Sequence, residues 1–132
     1  MNLGSSSTTS GVTVAGFSLG GGSSYSEVNS PSSIVVALDG TMYIMDTLNY
    51  RVVKWLSGQP LGFTVAGGNG LGTTLDKLGT SYYISVDDQS NVYVSEYSNH
   101  RVTMWLNGNT TAGVMVSNFS MYDSFISVFY KI

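Results

Sequence analysis

An all-β fold of tandem four-stranded antiparallel units is predicted for this chain from three observations. A phrase recurs at fixed spacing, each copy holds short apolar runs between turn residues, and no stretch shows the ~10–12 residues of periodicity that a helix needs. Charged residues make up 10% of the 132 positions, against roughly 25% in an average soluble domain. Serine, threonine, asparagine and glycine supply the polarity instead and suit turns, while the β-branched and aromatic residues suit strands.

The recurrence comes first. "DTLNYRVVKWLSG" at 46–58 returns as "EYSNHRVTMWLNG" at 96–108. Without a gap, Ile34 aligns with Ile84, Val36 with Val86, Tyr43 with Tyr93 and Asp46 with Glu96. Asn49 then aligns with Asn99, Arg51 with Arg101, Val52 with Val102, Trp55 with Trp105 and Gly58 with Gly108, each pair 50 positions apart. A second phrase, "GVTVAG" at 11–16, recurs as "GFTVAG" at 62–67 and, worn, as "GVMVS" at 113–117; its starts lie 51 positions apart. The mismatch places one insertion or deletion in the glycine-rich connection. Self-similarity at about 20–50 residues marks a repeat architecture.

Each unit is predicted to hold four strands. The first unit, about 33–67, offers "SIVVAL" 33–38, "TMYIM" 41–45, "RVVKWL" 51–56 and "FTVAG" 63–67. The second, about 82–117, offers "YYISVD" 82–87, "NVYVSE" 91–96, "RVTMWL" 101–106 and "GVMVS" 113–117. "DG", "DQS", "TLNY" and "YSNH" between them are hairpin lengths, so each unit is a meander. The Gly/Ser-rich "FSLGGGSSYSEVNSPS" carries the chain between units. Residues 1–10 form a loose lead-in, 11–16 an outer strand ahead of the first unit, and 124–132, "SFISVFYKI", the start of a third unit.

The second strands, "MYIM" and "VYV", are apolar on both faces, so both must be covered. Successive meanders stacked around an axis provide that cover, which is a β-propeller. Propellers close with about 4–8 such units, so this one is open. Its uncovered ends are expected to leave Tyr43, Met45, Tyr93 and the tryptophans partly open and the lone chain marginally stable. At the recurring corner, Asp46 or Glu96 accepts turn amides and pairs with Arg51 or Arg101, and Asn49 or Asn99 takes a left-handed turn position. Trp55 and Trp105 pack between units, and Gly58 and Gly108 release the chain into the outer strand.

The pattern Ile84, Val86, Tyr93, Val94, Glu96, Asn99, His100, Arg101, Val102, Trp105, Gly108 resembles the NHL repeat, with Tyr50 in place of the signature histidine in the first copy. The resemblance covers roughly 11–117. Neither copy has the Trp-Asp ending of WD40 repeats, and kelch repeats do not explain the repeated Asn-x-Arg-Val. The resemblance implies a propeller that binds through loops at one face. Some members are substrate receptors of ubiquitin ligases carrying a zinc-binding RING, some bind RNA through a basic face, and one class is a zinc-dependent peptide-amidating lyase.

The residues narrow these options. With no cysteine, disulfides, Cys-based zinc sites and thiol nucleophiles are all excluded from this sequence. The single histidine, His100, has Tyr50 as its repeat mate, so a catalytic or zinc-binding histidine set is not expected. "GGNGLG" at 67–72 fails the phosphate-loop spacing and opens no helix, and "DDQSN" at 87–91 lacks the glycine of a calcium loop. Five cationic side chains in a chain of net charge −3 give little for phosphate groups to bind. No apolar run approaches the ~18 residues of a membrane span, and no secretory signal is visible, leaving the compartment open. Sequons at Asn109 and Asn118 would matter only in a secreted protein.

The expectation is a non-enzymatic binding module with no cofactor, a protein partner, and self-association to complete a ring, for instance by three copies. It is equally consistent with a fragment of a larger NHL protein. The candidate ligand-face loops carry Tyr50, Arg51, Tyr97, His100 and Arg101.

Overall fold

The structure, a computed structural model, describes residues 10–17 and 20–116. Among these the chain forms two four-stranded antiparallel sheets and no α-helix. The first sheet holds β1 (Pro31–Val36), β2 (Met42–Asp46), β3 (Arg51–Trp55) and β4 (Phe63–Gly67). The second holds β5 (Ser81–Val86), β6 (Val92–Glu96), β7 (Arg101–Trp105) and β8 (Val114–Met115). Spatial order equals chain order in both, as short hairpin links dictate.

The register repeats with the sequence. Asp46 faces Arg51 and Met42 faces Trp55, as Glu96 faces Arg101 and Val92 faces Trp105. The same shift interrupts the inner pairing of both sheets, between Pro31 and Ser33 and between Ser81 and Tyr83.

Strand alternation gives each sheet two faces. On the first, Tyr43, Met45 and Val52 point to one side, here called the front, while Met42, Ile44, Val53 and Trp55 point to the back. The front residues share one core with Ile84, Val92, Val94 and Trp105 of the second sheet. Val92, Val94 and Trp105 are the repeat mates of Met42, Ile44 and Trp55, so the back of the second sheet lies on the front of the first. Burying a side chain such as Met45 or Val94 contributes about 1.5–3 kcal/mol, and both are fully buried here. The back of the first sheet packs against Ala15 and Val28, with the Phe17 ring 6.0 Å from Trp55.

The stacking corrects one expectation. Tyr43, Met45, Trp55 and Trp105 are not open: none is more than 3% exposed. The second sheet closes over Tyr43 and Met45, and the segment before β1 closes over Trp55. Tyr93 alone of that group is half-buried. Residues 11–16 are a second correction, since they form no strand. Their mates in β4 pair with β3 of the same unit, and among the described residues no equivalent of β3 lies ahead of 11–16 for them to pair with. The correspondence survives in the packing all the same. Gly16 and Gly67 both have positive φ, and a Cβ on either would run into the side chain that follows in its unit, Val28 or Leu78. The expected third unit at 124–132, the sequon at Asn118 and most of the lead-in lie outside the described residues.

Candidate functional site

The recurring corner is built on a buried carboxylate. Asp46, at the end of β2, is fully buried. Its Oδ1 accepts the Asn29 amide at 2.6 Å, and its Oδ2 accepts Arg51 Nε at 2.6 Å. Asn49 Nδ2 donates to the same carboxylate at 3.0 and 2.9 Å and to the Gly22 carbonyl at 2.7 Å. The remaining guanidinium nitrogens of Arg51 donate to the carbonyls of Ser23, Ser24 and Glu27, each at 3.0 Å.

The second corner repeats the arrangement on residues 50 positions later. Asn99 Nδ2 donates to the Gly72 carbonyl at 2.8 Å, and Arg101 donates to the carbonyls of Thr73, Thr74 and Lys77. Glu96 Oε2 takes the Gly79 amide at 3.0 Å, and Oε1 takes the Thr103 hydroxyl at 2.8 Å, which in turn accepts Trp105 Nε1 at 3.1 Å. Each arginine therefore fastens the incoming link to its own sheet by main-chain oxygens. The expectation that the carboxylates would take amides of their own hairpin turn is corrected, because the amide comes from the link.

The hairpin itself holds a second correction. Tyr50 and His100, not Asn49 and Asn99, occupy the left-handed conformation, with φ of 50° and 52°. In the first unit Thr47–Asn49 form one turn of 3₁₀ helix, and Tyr50 closes it by donating its amide to the Thr47 carbonyl. The asparagines stay inside the turn, where their side chains reach the carboxylate and the link.

These distances separate the five candidate residues. Arg51 and Arg101 are spent on the corners, their guanidinium groups turned inward. Tyr50 is half-buried against the shared core. Tyr97 and His100 are exposed at the tip of the second hairpin, Tyr97 at 73%. Sequence reasoning passed over Tyr82, whose ring lies 6.1 Å from that of Tyr97, edge to face. In the first unit the same two positions are Ser32 and Thr47, joined by a hydroxyl–hydroxyl bond of 2.7 Å. Comparing Ser32 with Tyr82 and Thr47 with Tyr97 in the aligned copies would have exposed the difference. Leu48 is a further exposed apolar side chain at the first tip.

The two glycine- and acid-rich motifs also acquire partners. The connection following Gly67 presents the carbonyls of Gly72, Thr73 and Thr74 to Asn99 and Arg101, a polarity suited to a cation rather than to phosphate. Asp87 Oδ1 takes the amides of Gln89 and Asn91, and its Oδ2 takes Asn91 Nδ2 and the Tyr93 hydroxyl, which closes the turn on itself. Among the described residues no cluster of three or more His, Cys, Asp or Glu is arranged to hold a metal. A cavity of about 580 Å³ beside the first corner is lined by Ser23, Ser24, Tyr25, Asn49, Arg51 and Thr64.

No protein-family profile matches the chain, and a search of curated proteins finds no match either.

Proposed function

We propose that the chain is an open stretch of an NHL-type β-propeller, two blades long, acting as a non-catalytic module that binds a protein partner through its hairpin tips. One observation carries this. The same corner is built twice from near-identical residues, yet the side chains it holds outward differ: Leu48 at one tip, Tyr97, Ser98 and His100 at the other. A fixed support with variable tips is how binding surfaces are mounted on rigid scaffolds. Back-to-front stacking of equivalent sheets supports the propeller, since each added meander meets its predecessor with the same pair of faces. The second tip offers an exposed aromatic pair, a residue type enriched in protein interfaces.

Panning a displayed peptide library against the chain tests the proposal. Selected peptides should lose most of their affinity on Tyr97→Ala or His100→Ala, with the thermal midpoint of the chain unchanged. Selected peptides that bind both variants as they bind the parent would overturn it.

A further inference from the structure

The contact between the two sheets is a template for a contact between chains. Within the chain, the back of the second sheet, through Ile84, Val92, Val94 and Trp105, lies on the front of the first. The back of the first sheet carries the equivalent residues, but Ile34 is 54% and Val36 60% exposed, whereas Ile84 is 5% exposed. A groove of about 390 Å³ runs along this face, lined by Val14, Ala15, Val28, Ile34 and Ile44 among others. At the opposite end, Tyr93, Val102 and Met104 on the front of the second sheet are half-buried. The mates of Tyr93 and Val102, Tyr43 and Val52, are buried under the neighbouring sheet, and the mate of Met104 is the half-buried Lys54.

We propose that a second copy of this chain docks head to tail, the back of its first sheet seated on the front of the second sheet. The occupant follows from continuity with the internal interface: Ile34 and Val36, the exposed strip on the back of the first sheet, are the repeat mates of Ile84 and Val86, which pack where the two sheets meet. The rest of that back, Met42, Ile44, Val53 and Trp55, is already covered by Ala15 and Val28. Neither surface sets a charge against the other: Ile34 and Val36 would meet Tyr93, Ser95, Val102 and Met104. The register follows too. Inside the chain Ser32 Oγ donates to the Tyr82 carbonyl at 2.8 Å. Carried one unit onward, the same contact sets Tyr82 of one copy beside Ser32 of the next. Such an interface is heterologous, with different residues on its two sides, so it adds copies in one direction. It does not depend on the hairpin tips binding a peptide.

The absence of native cysteine makes the test direct. A Ser32→Cys chain mixed with a Tyr82→Cys chain should be joined into a dimer by a short bismaleimide, which bridges neighbouring thiols whose Cβ vectors do not face as a disulfide requires, while either variant alone stays unlinked. The parent should sediment as more than one chain, and Val36→Glu should reduce it to one chain with its circular dichroism intact, Val36 being a surface side chain. A parent that stays monomeric at every concentration overturns the proposal. So do single variants that link as well as the mixture does, which would mean two-fold symmetric packing. A Val36→Glu chain that still associates also overturns it. Because Tyr97 and His100 are untouched, failure here leaves the peptide-binding test standing, and the converse holds.

Discussion

Arg51 Nε lies 2.6 Å from Asp46 Oδ2, and Arg101 Nε lies 3.0 Å from Glu96 Oε1, so one corner motif closes tightly and its duplicate loosely. In the second corner the separation is short but the geometry is not that of a hydrogen bond, and Arg101 Nε has no hydrogen-bond partner. The longer glutamate explains the difference. Its oxygens are drawn to the Gly79 amide, Asn99 and the Thr103 hydroxyl, whereas the shorter aspartate keeps one oxygen on the arginine.

Unequal corners predict unequal costs. Breaking a buried ion pair from one side costs about 3–5 kcal/mol. Arg51→Met should approach that, since it leaves a fully buried carboxylate without its counter-charge and releases three carbonyls. Arg101→Met should cost less. Urea unfolding followed by tryptophan fluorescence gives both values, and equal midpoints would contradict the difference.

Thr103 is the hinge of a buried polar chain running from Trp105 to Glu96. Its repeat mate is Val53, and Trp55 Nε1 turns instead to the Gln59 carbonyl at 2.7 Å. Thr103→Val preserves shape but strands the indole N–H, which costs about 1–3 kcal/mol. The converse change, Val53→Thr, creates no such partner for Trp55, so it should not stabilise the chain. Thermal unfolding of both variants separates the effects.

His100 holds a left-handed backbone conformation at an exposed tip. That conformation costs an ordinary L-residue about 1–2 kcal/mol, less for asparagine. His100→Asn should therefore raise the unfolding midpoint slightly, by the equivalent of under about 1 kcal/mol. Tyr50→Asn should not, because Tyr50 also packs against the core and loses that contact. The two midpoints moving in the same direction would refute the assignment.

Burial, with the Asp87 carboxylate on its hydroxyl, raises the Tyr93 phenol above its usual 10.0. The neutral phenol is thus favoured in the fold. The stability it supplies is complete below the ordinary value and is lost as pH climbs through the raised one. Tyr93→Phe should lose less stability than the parent on going from about pH 9 to pH 11, as read from denaturant midpoints across that range.

Much of the architecture was legible because a gapless repeat transmits register. Once Asp46 and Arg51 were seen to recur as Glu96 and Arg101, the hairpins, their order and the ion pairs followed. What escaped lies in the main chain or between units. The carbonyls of Ser23, Ser24 and Glu27 have no side-chain signature, so their capture by Arg51 could not be read from residue types. Asparagine's general tolerance of left-handed geometry pointed one position too early, because a turn of 3₁₀ helix carries that conformation to its closing residue, Tyr50. The aromatic pair Tyr82 and Tyr97 was hidden by attention to what the copies share rather than where they part.

That each arginine holds its incoming link through backbone oxygens has a consequence for how such a chain changes over time. "GSSYSEVN" at 22–29 and "GTTLDKLG" at 72–79 adopt the same path while sharing a single letter. A joint held by atoms common to every amino acid can drift freely in spelling, and a whole module can be duplicated or excised at that seam without a new fastening having to be invented.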